Sequence, residues 1–272
     1  MQIASESGTH HLAAMFASAG GVTGAFSSKA ADYAESRPGY PAALFDALRS
    51  DGTLRPVDSI ADVGAGTGLF TAALLERGYS VTAVEPNAGM LAVADALLLQ
   101  CAGYRSVAAS AEATTLPDSS FDVVTCAQAF HWFDVDAVRR EWLRILKSDG
   151  RVVLTWNTRP LNDPLQAEFD SILGEFGGER HSALTARQEL TTVPPFFAGA
   201  AFRELTFPNS QCLERKGFVS LVLSRSTMPD RASPAGKAAE VVASKVFERF
   251  QSEGSVTVNY STLAFVGRPA NV

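Results

Sequence analysis

The run Asp62-Val63-Gly64-Ala65-Gly66-Thr67-Gly68 is where this sequence first points to chemistry. The apolar stretch Ser59–Val63 before it reads as a β-strand, and Leu69–Arg77 after it as a helix closed by Gly78, the expected left-handed cap. Between them three glycines alternate. Glycine opens backbone angles closed to other residues and lets a ligand approach the main chain. The carboxyl end of a strand is also where open α/β sheets bind ligands. A nicotinamide cofactor asks for glycines at the first, third and sixth positions, but the sixth position here is Leu69. No lysine follows the turn as a phosphate-binding loop requires. Glu85 stands 21 residues after Gly64, at the end of the next strand, Ser80–Val84. A carboxylate there accepts hydrogen bonds from the two hydroxyls of an adenosine ribose.

His131 is the second chemically able residue. It follows the strand Phe121–Ala127 at the same end of the sheet, and an imidazole titrates near neutrality, so it suits a general base. Contact with substrate or cofactor, or a purely structural role, fits the same position. Phe130, Trp132 and Phe133 beside it would shield a cofactor and favour a positive charge near a ring face; as ordinary core aromatics they read equally well. His10, His11 and His181 have no partners at ligand spacing, and Cys101, Cys126 and Cys212 lie far apart without a CxxC pair. Neither a metal site nor a disulfide framework is expected.

The elements that must position these residues follow in strict alternation. After Ser80–Val84 comes a helix Ala88–Gln100 with Met90, Leu91, Ala94, Leu97 and Leu98 at helical spacing. A strand near Ser106–Ala109 comes next, then Phe121–Ala127, almost uniformly apolar after Asp122 as a strand covered on both faces should be. A helix from Asp134 to Lys147 then leads to the strand Arg151–Trp156. Arg139, Arg140, Arg144 and Lys147 lie towards that helix's end and complement its dipole, which favours a solvated helix end over an anion site. Asp118 and Asp122 read as turn residues. The series is βαβαβ, which implies a parallel sheet with helices on both faces. Beyond Trp156 the rhythm changes: a helix Pro164–Phe176, a loop through Pro194-Pro195, a strand Phe202–Cys212, helices Gly217–Arg225 and Ala238–Phe250, and a last strand Ser255–Gly267. No linker separates two domains, so 1–272 reads as one domain. It comprises an arm 1–40 with one short helix near Leu12–Ser18, a core 41–158, a covering segment 159–254 and a final strand 255–268.

At 272 residues, 46% apolar and 19% charged, the chain is globular in composition and neither disordered, collagen-like nor coiled-coil. Its net charge of −6, with Lys and Arg scattered, leaves no footprint for nucleic acid. The apolar stretch Leu12–Ala19 has no basic residue before it, the first being Lys29, and no apolar run reaches membrane-spanning length. A soluble, cytoplasmic protein that does not act at a membrane is expected; its oligomeric state is left open.

Four features together resemble the class I S-adenosylmethionine (SAM)-dependent methyltransferases, of the small-molecule branch that includes trans-aconitate-methyltransferase-like enzymes. They are Tyr33-Ala-Glu-Ser-Arg37-Pro-Gly-Tyr40-Pro41, the Asp62–Gly68 loop, Glu85-Pro86-Asn87, and Ala111-Glu112 followed by Leu116-Pro117 and Gln128-Ala-Phe-His131-Trp132-Phe133. The resemblance covers residues 30 to about 157 and is loose thereafter. It implies an α/β fold: a Rossmann-like, doubly wound, mainly parallel seven-stranded sheet with a substrate-covering insertion and an N-terminal lid arm. It implies SAM as cofactor and a small molecule as substrate. Gly64, Ala65 and Gly66 would lie against the amino-acid part of SAM, with Asp62 ordering the loop or bonding the ammonium. Glu85 would take the ribose hydroxyls, with Pro86, Asn87 and Met90 beside it near the adenine. Ala111 and Glu112 would meet the adenine edge, and Gln128 would face the methionine end. Tyr33 and Arg37 would fold over the cofactor, Arg37 as partner of its carboxylate. Each has a plainer role: Asp62 as a turn cap, Glu112 as a solvated carboxylate, Tyr33 and Arg37 as pins for the arm.

The activity expected is methyl transfer to an O, N or C nucleophile, with the arm and the segment after Trp156 excluding water. Two other activities suit the same motifs. One consumes SAM without methylation, by cyclisation to azetidine-2-carboxylate plus methylthioadenosine or by aminocarboxypropyl transfer. The other is a non-catalytic binding module, against which the intact glycine loop and Glu85 speak. Asn157, Arg159, Arg180, His181, Arg187 and Arg225 are candidates for the substrate pocket, and nothing local chooses among them.

Overall fold

Strand β4 (Phe121–Ala127) is buried from Phe121 through Cys126, as befits a strand covered on both faces. The computed structural model, which describes residues 36–160, 162–187 and 190–271, with side chains of Arg180 and 183–187 left aside, places it at the middle of a seven-stranded sheet. Strands β1 (Ser59–Val63), β2 (Ser80–Val84), β3 (Tyr104–Val107), β4 and β5 (Leu146–Thr158) run in parallel in the order β3-β2-β1-β4-β5. Then β7 (Ser255–Gly267) lies between β5 and β6 (Phe202–Glu214). The expected Rossmann-like, mainly parallel seven-stranded sheet is therefore present.

Alternation along the strands feeds two cores. Ala61 and Val63 of β1, Val124 of β4 and Val152 of β5 join a cluster built on Phe130, Trp142 and Phe196. Their neighbours Ile60, Val123 and Val153 join another with Leu44, Phe45 and Phe70, since successive strand residues face opposite ways. The helices supplying these clusters are α1 (Ala42–Ser50), α2 (Leu69–Leu75), α4 (Val135–Ile145) and the short α6 (Val193–Phe197), while α3 (Ala88–Leu98) buries Met90, Leu91, Ala94 and Leu98 outside them.

The chain divides into two compact units. The glycine-loop unit comprises residues 39–157, 189–207 and 262–272. The helical unit comprises 1–38, 158–188 and 208–261, the divisions falling inside β5, β6 and β7. In its described part, α5 (Pro164–Arg187), α7 (Arg215–Leu223) and α8 (Pro234–Phe250) enclose a separate core of Phe169, Phe218, Leu221, Phe247, Val256 and Tyr260. A core of its own is what lets such a unit be compact.

Several boundaries differ from expectation for local reasons. The third strand is Tyr104–Val107, not Ser106–Ala109, because pairing sets Tyr104 opposite Val81. Asp122 is no turn residue. It lies within β4 and accepts from the Ser59 N–H at 2.8 Å and from Lys147 Nζ at 2.8 Å. Those two donors make a buried carboxylate tolerable inside a strand. The helix from Pro164 runs past Phe176 to Arg187, broken at Gly178 (φ 53°, ψ −137°). Pro194-Pro195 opens α6 rather than lying in a loop, since proline suits a first helical turn. The α7 helix is Arg215–Leu223, two residues earlier than read. Helix α8 starts at Pro234, where Ser233 Oγ accepts from the Gly236 N–H, four residues before the expected start at Ala238 and in line with a serine N-cap. Two members of the basic group near the end of α4 are engaged by the protein: Arg139 bonds Asp136 (2.6 Å) and the Pro195 carbonyl (3.0 Å), and Arg144 pairs with Glu141 (2.7 Å), while Arg140 is exposed. The expected helix near Leu12–Ser18 lies outside the described residues. Among the described residues no helix is long and apolar enough to cross a membrane.

Candidate cofactor site

The three loop glycines all have positive φ: 72° at Gly64, 58° at Gly66 and 82° at Gly68. That is the left-handed region glycine enters without steric cost. Their surroundings, however, differ. A Cβ on Gly64 would lie 2.6 Å from Ala129 Cβ and 3.0 Å from Phe133 Cζ, and one on Gly68 would lie 2.7 Å from Leu98 Cδ1. At Gly66 the nearest atom would be Met90 Sδ, at 3.7 Å. Gly64 and Gly68 are thus demanded by protein packing, and Gly66 alone leaves main chain open to a ligand. The loop is held by its own hydrogen bonds, with Gly64 and Ala65 N–H both donating to the Val84 carbonyl (2.9 and 3.2 Å).

Glu85 closes the arrangement. Its Oε2 accepts from the Gly66 N–H and its Oε1 from the Asn87 N–H, each at 2.9 Å. The carboxylate is buried, and burial pushes its pKa above the ordinary range. A carboxylate offers about four lone-pair sites, and two amides use two of them, so the group can still accept from a diol. Pro86 is exposed, and Asn87 starts α3 by accepting from the Met90 N–H at 3.0 Å. This cap sets Met90, itself buried, against the Gly66 position.

Asp62 lies beneath the loop, almost fully buried. Its Oδ2 accepts from Thr71 Oγ1 of α2 at 2.6 Å and its Oδ1 from Thr125 Oγ1 of β4 at 2.8 Å. It ties β1, β4 and α2 together, so the structure supports the loop-ordering role. Thr71 and Thr125 were not singled out in the sequence; a hydroxyl 63 residues from its partner leaves no local trace. Burial lifts the Asp62 carboxyl to about 6. A carboxyl whose folded pKa is raised stabilises the fold fully only below its unfolded pKa near 3.8, and that contribution is lost as pH climbs to 6. Asp62→Asn is expected to remove this dependence. Relative to the variant, the native protein should lose on the order of 2–3 kcal/mol between pH 4 and 7, measured by denaturant titration. Parallel curves for the two proteins would contradict it.

Ala111 is buried, and its carbonyl accepts from Trp142 Nε1 at 3.1 Å, so that oxygen is engaged with the core. Glu112 Oε1 accepts from the Asp134 N–H at 3.2 Å and is partly exposed. Gln128 ends β4 with φ 61°, its N–H on the Thr155 carbonyl (2.9 Å) and its Nε2 on the Asn157 carbonyl (3.3 Å). A non-glycine residue held in that region costs of order 1 kcal/mol and belongs more often to functional sites than elsewhere. The 3₁₀ turn Phe130–Trp132 follows, with His131 buried and its ring 4.9 Å from that of Trp132. Phe130 proves to be core, in edge contact with Phe196 (4.9 Å between centroids). Gly64, Ala65, Gly66, Glu85, Asn87, Met90 and Gln128 all belong to the glycine-loop unit. Arg37 belongs to the helical unit, where Nη2 donates to the Ser224 carbonyl at 3.3 Å. Tyr33 lies outside the described residues. Among the described residues no three metal-binding side chains gather.

A parallel sheet, a glycine turn at its carboxyl edge and an acid closing the next strand define a Rossmann-like protein that binds an adenosine-bearing cofactor. Comparison narrows the class. A methyltransferase domain family matches residues 61–154. A methyltransferase-like protein of Schizosaccharomyces pombe, itself uncharacterized, is 30% identical over 88% of this chain and 93% of its own. An uncharacterized methyltransferase of Mycobacterium tuberculosis is 37% identical over 62% of this chain and 66% of its own. Among solved structures, a chain from Anaeromyxobacter dehalogenans assigned to the type II methyltransferases superposes with a TM-score of 0.58 at 24% identity, covering 86% of this chain and 99% of that one. The chain belongs to the class I SAM-dependent methyltransferase family.

Proposed function

We propose that this protein transfers a methyl group from SAM to an O, N or C nucleophile of a small molecule, in the cytoplasm, and acts as one SAM-binding domain. The observation that carries this reading is the Glu85 carboxylate, fastened by Gly66 and Asn87 amides with lone pairs to spare for a ribose diol. Gly66, with open space where a side chain would stand, suits the amino-acid portion; Met90 and Asn87 suit the adenine side. When bound, SAM supplies a methyl group on a sulfonium, which passes to the acceptor and leaves S-adenosylhomocysteine. The chain's own task is to align the nucleophile and exclude water. Gln128, held at an unusual backbone angle, would present its amide towards the methionine end. His131 is the candidate to accept the proton that an O or N acceptor gives up.

Incubation with SAM, with and without acceptors, followed by mass spectrometry tests the reading. S-adenosylhomocysteine together with a methylated acceptor supports it. Methylthioadenosine from SAM alone would show that SAM itself is the substrate and overturn it. If His131 takes the proton, His131→Gln should lower kcat by about 100- to 10,000-fold and abolish the acidic limb of the pH–rate profile. An unchanged profile assigns His131 to packing.

A further inference from the structure

Where β1 and β4 begin, the glycine-loop unit has a cavity of about 650 Å³, and every residue lining it belongs to that unit. Small-molecule sites commonly measure about 300–1,000 Å³. The glycine loop follows the far end of β1, so five residues of strand hold the two places apart, about 15 Å. Four arginines line the cavity, and two of them are engaged with carboxylates. Arg203 pairs with Asp51 at 2.7 Å and bonds Thr53 Oγ1 at 3.0 Å. Arg55 lies 3.0 Å from Asp58, 3.5 Å from Asp122 and 3.6 Å from Asp149. The other two, Arg151 and Arg268, have no carboxylate of a described residue at ion-pairing distance and rest on backbone carbonyls instead. Arg151 Nη1 donates to the carbonyls of Asp149 and Gly150, the latter at 3.2 Å. Arg268 Nη1 donates to those of Lys147 at 2.7 Å and Gly150 at 3.2 Å. Both guanidiniums are thus pinned to one oxygen, and the Nε and Nη2 groups of both make no hydrogen bond with a described residue. Burial, and after it the charge of Arg151, lower the Arg268 pKa, which Asp149 offsets only in part.

Two like charges fixed side by side repel each other, and an anion between them turns that repulsion into attraction. Guanidinium forks match the oxygens of phosphate and carboxylate, and forks already held in place lose little freedom on binding. We propose that this cavity is an oxyanion-binding site in which the free N–H groups of Arg151 and Arg268 hold a phosphate or carboxylate group of a small molecule. Asp149, 63% exposed, is placed to accept from a hydroxyl or amino group of the same ligand. The site lies apart from the Gly66–Glu85 cofactor site and does not rest on the methyltransferase reading.

The test uses the full chain at fixed ionic strength, because phosphate also stabilises folded proteins by exclusion from their surfaces. Calorimetry is run with inorganic phosphate and glycerol 3-phosphate as one series and with succinate and citrate as the other. At least one series should bind the native protein saturably, with a Kd of about 1 mM or tighter, and the tighter series identifies the source of the oxyanion. Arg151→Gln and Arg268→Gln should each weaken binding about tenfold or more, and Arg268→Lys should fall between, since an ammonium keeps the charge without the fork. Arg151 is exposed and bonds only neighbouring carbonyls, so its variant keeps the test decisive if Arg268→Gln fails to fold. Arg105→Gln, which removes an exposed charge of β3 outside the cavity, should stay within about twofold of native. No saturable binding of either series by the native protein overturns the proposal, as does native-like affinity in Arg151→Gln. A loss in Arg105→Gln as large as in Arg151→Gln would make the binding a general charge effect and overturn it too. SAM affinity in Arg151→Gln should match native; its loss along with anion binding would assign these arginines to the cofactor's carboxylate and overturn the site. Arginine-dependent anion binding by a protein that does not bind SAM would count against the methyltransferase reading alone.

Discussion

Replacing Glu85 with alanine is expected to raise the Kd for SAM by about 100-fold or more, with the fold retained. Hydrogen bonds to a charged group contribute about 1.5–3 kcal/mol each. A ribose diol makes two of them, and about 3 kcal/mol is already more than a hundredfold in affinity. The same carboxylate accepts the Gly66 and Asn87 amides, so some stability goes with it, on the order of 1–3 kcal/mol for amides left unsatisfied. That loss should fall at the lower end, because removing the side chain also relieves the burial that raises the Glu85 pKa. Glu85→Gln is the sharper control: the amide keeps one acceptor oxygen and turns its NH₂ towards a donor, so affinity should again fall by at least tenfold with less effect on stability. Calorimetry with SAM, alongside a denaturant titration, reads both. A Kd within threefold of native in Glu85→Ala would remove this residue from the cofactor site.

Gly64→Ala and Gly66→Ala should differ in what they cost, the first mainly in stability and the second mainly in SAM affinity, although the two positions lie two residues apart and share the left-handed backbone. Any side chain in that region costs about 1–2 kcal/mol. At Gly64 the new methyl also collides with Ala129 and Phe133. Those residues cannot retreat easily, since Phe130 between them is locked in the aromatic core and Gln128 is already at φ 61°. Overpacking adds about 1–3 kcal/mol, so Gly64→Ala should destabilise by about 2–5 kcal/mol and approach the total stability of an ordinary domain. At Gly66 the methyl meets only the flexible Met90 at an ordinary distance. Stability should drop by about 1–2 kcal/mol, while SAM affinity falls tenfold or more because the methyl occupies the space a ligand would use. Equal stability losses at the two positions, or undiminished SAM binding by Gly66→Ala, would contradict this division of roles.

Much of the cofactor half was legible because its signals are local. The strand Phe121–Ala127 matches the observed β4 at both ends, since a run almost uniformly apolar after Asp122 and preceded by turn chemistry admits little else. The spacing from Gly64 to Glu85 reflects one strand, one turn and one short helix, lengths set by secondary structure itself. The different duties of the three glycines were not legible: they depend on Ala129, Phe133, Ala94 and Leu98, which arrive from other elements. Asp122 was misread because Pro-Asp-Ser-Ser just before it looks like a turn, and its partners Ser59 and Lys147 come from both directions along the chain.

By itself the sequence determined the alternation of strands and helices, the glycine turn at a strand end and the acid that closes the next strand. Each is written in residue types within one or two turns of backbone, where steric limits and hydrophobic period act directly. Only the tertiary structure decided that β7 enters the sheet between β5 and β6, that Asp62 is held by Thr71 and Thr125, and that Arg37, Arg159 and Arg225 share one neighbourhood with Tyr260. Such pairings join residues up to more than a hundred positions apart. They are chosen by which surfaces exclude water together, and no short stretch of sequence records that choice.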